Sequence, residues 1–177
     1  MNSTLDEALE RLRGTGSEVA GGPAPNHGPM AAEALAALGC DDVFVAWADR
    51  YRRQLDAIPP PRAAVTAENW THALGAIDRF GDWAAFFRVQ LAEAPWRVVF
   101  HEWIGRLLPA TPSAGAHGLI RTAHALRALA DAETSLRVEE LGVALGTGRP
   151  TTARCPALPA SPARSISATR SCGSRSF

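Results

Sequence analysis

Apolar residues recur three and four positions apart through most of residues 1–146, the spacing of helices that each bury one face. Thr4-Leu-Asp-Glu7 reads as a capping box opening a helix to Arg13, which Gly14 stops. Gly-rich residues 14–28 read as a loop, and Pro29 suits the first turn of the helix Met30–Leu38, ended by Gly39. Asp41 or Asp42 caps a third helix, expected to turn Val43, Trp47, Tyr51 and Leu55 inward. Ile58-Pro-Pro-Pro61 ends it and begins an extended linker.

Four more helical stretches follow at Trp70–Phe80, Trp83–Ala94, Pro95–Leu108 and Gly115–Ala132, then a shorter one at Arg137–Leu145 closed by Gly146. No strand-like alternation of β-branched residues interrupts them. The expectation is an all-α, multi-helix orthogonal array as one domain over residues 1–146. The tryptophans at 47, 70, 83, 96 and 103 are expected in helix–helix core, with a wall for a flat aromatic ligand as the second use of their rings.

Residues 147–177 break the pattern and read as a disordered Arg/Ser/Pro-rich tail. Formal charge divides at the same place. All 18 acidic residues lie at or before Glu140, while the tail holds five of the 18 arginines. Residues 1–146 therefore carry 13 arginines against 18 acids, net −5, and the chain has no lysine. One reading of the tail is an ordinary basic segment that loosely attracts acidic surfaces. The other is translation out of frame. The codons of Gly146 to Pro156 admit, one frame over, Tyr/His-Trp-Ala-Ala-His-Tyr-Arg-Gln-Leu-Pro-Gly, a helix-like and aromatic continuation of what precedes it. The encoding DNA decides between them.

No apolar run spans a bilayer, and the acidic, amphipathic N-terminus is not that of a signal peptide. Cys40, Cys155 and Cys172 match no zinc spacing, so a reduced, cytoplasmic protein is expected, with no nucleic-acid or membrane partner. There is no Gly-x-Gly-x-x-Gly, no Gly-x-Ser-x-Gly, no His-Glu-x-x-His and no Cys-x-x-Cys, which argues against a self-contained dinucleotide-dependent oxygenase.

Candidate chemistry gathers at His117-Gly-Leu-Ile-Arg-Thr-Ala-His124. Positions 117, 121 and 124 lie nearly in line on one helical face. Seven helical residues span about 10.5 Å, so two imidazoles that far apart converge on one metal less easily than an i, i+4 pair. His117 ranks as the better ligand, with His124 behind it or facing substrate. Arg121 between them suits an anionic or enolate oxygen, or a carboxylate. His27 precedes a helix N-terminus, whose positive end disfavours an imidazolium and favours the neutral, metal-ligating form. Against these stands the plain reading of half-buried, hydrogen-bonded histidines. His72 and His101 are expected in structural or surface roles.

Four blocks together, Leu5-Asp-Glu-Ala-Leu9, Asn26-His-Gly-Pro-Met30, Gly81-Asp-Trp-Ala-Ala-Phe86 and His117-Gly-Leu-Ile-Arg-Thr-Ala-His-Ala125, resemble the N-terminal half of the questin oxidase-like family. The resemblance covers about residues 5–146 and implies an α-helical oxidoreductase of secondary metabolism. Its relatives cleave a ring of anthraquinone-type polyketides with O2, in a Baeyer–Villiger-like, NADPH-linked reaction. It further implies a non-heme iron held by several histidines and a modified lysine. His27 and His117 match the family's histidines best, and His124 less well. Without any lysine, and at about half the length of such proteins, this chain is expected to form an incomplete iron site and no active enzyme. The alternative is a non-catalytic helical module that binds a protein partner. Oligomeric state is not legible.

Overall fold

The computed structural model describes residues 3–20, 24–74, 76–108 and 116–147. The disorder expected beyond Thr147, and the spans containing Cys155 and Cys172, lie outside the described residues. The described chain is mostly helical, with one small two-stranded antiparallel sheet. In order it forms α1 (Thr4–Leu12), β1 (Thr15–Val19), α2 (Gly28–Ala37), α3 (Asp41–Arg52) and β2 (Leu55–Ala57). A short α4 (Trp70–Leu74) and a 3-10 turn (Ile77–Arg79) lead into α5 (Phe80–Glu93), α6 (Trp96–Leu107), α7 (His117–Asp131) and α8 (Ser135–Gly146).

The strands correct two expectations: β1 lies in what was expected as loop, and β2 takes Leu55–Ala57, expected in the third helix, which ends at Arg52. β1 is Thr-Gly-Ser-Glu-Val, with no apolar alternation to reveal it. Backbone pairing with β2 makes it a strand, in the register Thr15 to Ala57 and Val19 to Leu55 with a bulge between. The capping box also differs in detail: Ser3, not Thr4, is the N-cap, and its hydroxyl accepts from the Asp6 N–H. The helix expected across Trp70–Phe80 breaks into α4 and the 3-10 turn.

Two cores hold the fold. Trp83, Phe87 and Trp103, with Leu129, Leu141 and Leu145, pack α5, α6, α7 and α8 together. Phe87 is fully buried, and Trp83 satisfies its indole by donating to the Ala73 carbonyl at 3.1 Å. Gly142 and Gly146 let α8 lie close on α5, since a Cβ at either would press on Leu91 or Trp83. The second core joins α1, α2 and α3 through Leu5, Leu9, Leu12, Phe44 and Ala48. Of the expected stripe, Trp47, Tyr51 and Leu55 pack against this core, and only Val43 gives way, to Phe44. Phe44 is fully buried whereas Val43 is 58 % exposed, and Trp47 and Tyr51 are only partly covered.

A buried polar clamp ties the two ends of the described chain. Arg137, at the start of α8, donates Nε to Asp6 and Nη2 to Ser3 of the N-terminal cap. Its Nη1 meets the Ala128 carbonyl at 2.6 Å and Asp131 at 2.9 Å, so each nitrogen of the guanidinium has a partner. Among the described residues no helix is long and apolar enough to cross a membrane.

Candidate functional site

His27 and His117, 90 residues apart in sequence, place their Nε2 atoms 3.0 Å from each other. Their rings meet edge to face with centroids 4.9 Å apart. His27 is exposed and His117 half-buried.

The Asn-His-Gly-Pro-Met block explains how His27 is held. Asn26 is buried and donates its amide to Thr15 Oγ1 (3.1 Å) and the Gly16 carbonyl (2.8 Å), fastening the block to β1. Its Oδ1 accepts from the Gly28 N–H at 2.9 Å, so the same side chain starts α2. Gly28 is closely packed, since a Cβ there would press on the Asn26, Leu12 and Tyr51 side chains at 3.0–3.1 Å and oblige them to shift. Pro29 follows within the first turn, where a missing N–H costs nothing. The His27 N–H donates to Tyr51 Oη at 3.1 Å. Asn26→Ala is therefore expected to cost about 2 kcal/mol, from the Thr15 and Gly28 groups left unpaired. Chemical unfolding of the variant measures it, and a change below about 0.5 kcal/mol would show that Asn26 does not hold the block.

His117 opens α7 directly after Ala116, which sits in the left-handed region at φ 64°. α2 and α7 run side by side in the same direction, since Glu33 further along α2 meets His124 and Arg127 further along α7. Both helix N-termini thus point toward the histidine pair. Their partial positive charges favour an anion beside the pair and oppose a cation by about 0.3–1 kcal/mol each. That opposition is small against two metal–imidazole bonds.

His124 and Arg121 turn away from the pair. His124 Nδ1 lies 2.5 Å from Glu33 Oε2, and Arg127 also grips that carboxylate. Arg121 is 3 % exposed and doubly bonded to Glu140 of α8, at 2.6 and 2.9 Å. Its charge is thereby matched within the protein, and its Nη1 is buried without a partner among the described residues. His72 and His101 are both exposed. Of the tryptophans, Trp83 and Trp103 are core and the other three partly covered. Sequence reasoning missed Glu33, Glu140 and Asn26. Glu33 left a trace, being the only charged residue on the Ala-rich α2.

The donor chemistry of the pair suits a metal. Two imidazole nitrogens at right angles about 2.1 Å from one ion would stand near 3 Å apart, and a direct N–H···N hydrogen bond between the rings spans the same distance. The number of donors falls short: among the described residues no group of three or more His, Cys, Asp or Glu converges. The pair by itself offers two donors, fewer than a closed metal site uses. Comparison with family models, with curated proteins and with solved structures gave no match, so the resemblance rests on the quoted residues alone.

Proposed function

We propose that the chain carries part of the metal centre of a questin oxidase-like oxidoreductase, with His27 and His117 as ligands to a non-heme iron. The supporting observation is the 3.0 Å approach of their Nε2 atoms from two separate helix N-termini. Iron bound there supplies O2 activation, with NADPH as the external reductant and an electron-rich aromatic polyketide as substrate. The residues of this chain bind and orient. Asn26 and Tyr51 fix the His27 backbone, the Glu33–His124–Arg127 cluster locks α2 against α7, and the paired helix N-termini favour a phenolate over a neutral phenol alongside. His124 and Arg121 act in this reading as positioning residues, through Glu33 and Glu140. Two imidazoles alone hold a metal weakly, so substoichiometric iron and no turnover are expected of the chain by itself.

Anaerobic titration with Fe(II), read by equilibrium dialysis and elemental analysis, tests the assignment. His27→Ala and His117→Ala are each expected to weaken binding on the order of 100-fold, about 2.7 kcal/mol, while His72→Ala leaves it unchanged. Equal binding by all three variants would remove the metal assignment. The competing reading, a non-catalytic helical interaction module, draws on the exposed Leu38 (76 %) and Val43 at the α2–α3 turn. It gains if no variant, nor the parent chain, binds iron at all.

A further inference from the structure

A groove of about 650 Å³ runs over the junction of α5 and α8, bounded by the Pro59–Pro61 strap. It shares no lining residue with the histidine pair. Its volume falls within the usual range for small-molecule sites. The α5 side is a stripe at helical spacing, Ala84, Ala85 and Ala92, whose short side chains leave a shallow trough, closed at one end by the strap over Gly81 and flanked by Gly142, which packs against Leu91. The strap stays close because the Pro59 and Pro60 carbonyls rest on Gly81, where a Cβ would collide with them. Every other apolar lining side chain is aliphatic, so the groove offers dispersion and desolvation but no ring to stack on.

Charge selects the head group. Arg88 lies on the same α5 stripe, exposed, with no ion-pair partner among the described residues. The other lining arginine, Arg13, is already bound to Glu139. One uncommitted guanidinium at the rim of an aliphatic trough matches one planar anion, two N–H donors to two oxygens. From Arg88 back to Gly81 is about 10.5 Å of helix, which roughly eight to ten carbons span. The five arginines and no acids of residues 147–177 make that segment a poor occupant beside Arg88.

We propose that this groove binds an unbranched, medium-chain aliphatic carboxylate, its tail along Ala85 and Ala84 toward the Pro59–Pro61 strap and its carboxylate on Arg88. Calorimetric titration of the full chain with decanoate tests this, with decyltrimethylammonium as the amphiphile of opposite charge. Decanoate is expected to bind one per chain, and decyltrimethylammonium at least about tenfold more weakly. Arg88→Glu is expected to weaken decanoate about tenfold or more, and Ala85→Trp, which fills the trough, to abolish binding. No binding, one decanoate per two chains, equal affinity for the two amphiphiles, or an unaffected Arg88→Glu variant would each overturn the proposal. Arg88 is exposed and makes no structural ion pair, so that variant keeps the test decisive even if Ala85→Trp fails to fold.

Discussion

Replacing Arg137 with methionine is expected to remove about 3–5 kcal/mol of folding stability, read as a lower urea midpoint at unchanged slope. Methionine fills much of the space but supplies none of the donors. The change strands Asp6, a carboxylate with 4 % side-chain exposure, and takes the guanidinium from the Ala128 and Ala132 carbonyls at the α7–α8 turn. A buried charge without its partner costs far more than the net worth of the pair. The double variant Arg137→Met with Asp6→Leu is therefore expected to recover a large part of the loss. A single-variant loss under about 1 kcal/mol would mean that Arg137 does not bear the junction of α1, α7 and α8.

Asp82→Ala is expected to cost about 3 kcal/mol, for a related reason at the other end of the molecule. Its carboxylate accepts the backbone N–H of Arg62 (2.5 Å) and of Ala63 (3.0 Å) and is paired with Arg79. These contacts pin the chain just past Pro61 onto the start of α5. Burial alone would raise the Asp82 carboxyl, but the bonds from Ala63, Arg79 and Arg62 outweigh it and hold it below the ordinary carboxylate range. A depressed folded-state value gives stability that is fully present above the unfolded value and lost as pH falls through the folded one. Its contribution should therefore persist at neutral pH and fade only below about pH 4. Unfolding curves of the parent and Asp82→Asn should converge toward acid and separate above it. A constant gap across that range would contradict the assignment.

Helices were legible where their stop signals are chemical. Gly14 and Gly39 both adopt positive φ, and both end helices where the sequence places them. Periodicity misjudged α3 because Val43 and Phe44 are both apolar, and tertiary contact with α1 decides which one is buried. The two-stranded sheet was illegible because β1 owes its place to backbone pairing across 35 intervening residues and not to its side chains. At the candidate site, periodicity alone grouped His117 with Arg121 and His124, which share a helix face. Only the packing of α2 on α7 sets His117 against His27 and gives His124 to Glu33. Ion-pair partners such as Glu140 and Asp6 cannot be read from charge counts, since nothing local marks which carboxylate an arginine will reach.

The Asp6–Arg137 bond also bears on the order in which the molecule assembles. Its partners are 131 residues apart, so closing that loop in an unfolded chain costs several kcal/mol of chain entropy before any contact repays it. The α7–α8 hairpin, joined by a three-residue turn, and its packing on α5 need only nearer contacts and should form first. The α1–α2–α3 unit, whose own contacts are also near in sequence, then docks last onto a surface already carrying Arg137. In kinetic terms Arg137→Met should speed unfolding much more than it slows folding, and the amides of α1 should exchange with solvent before those of α8.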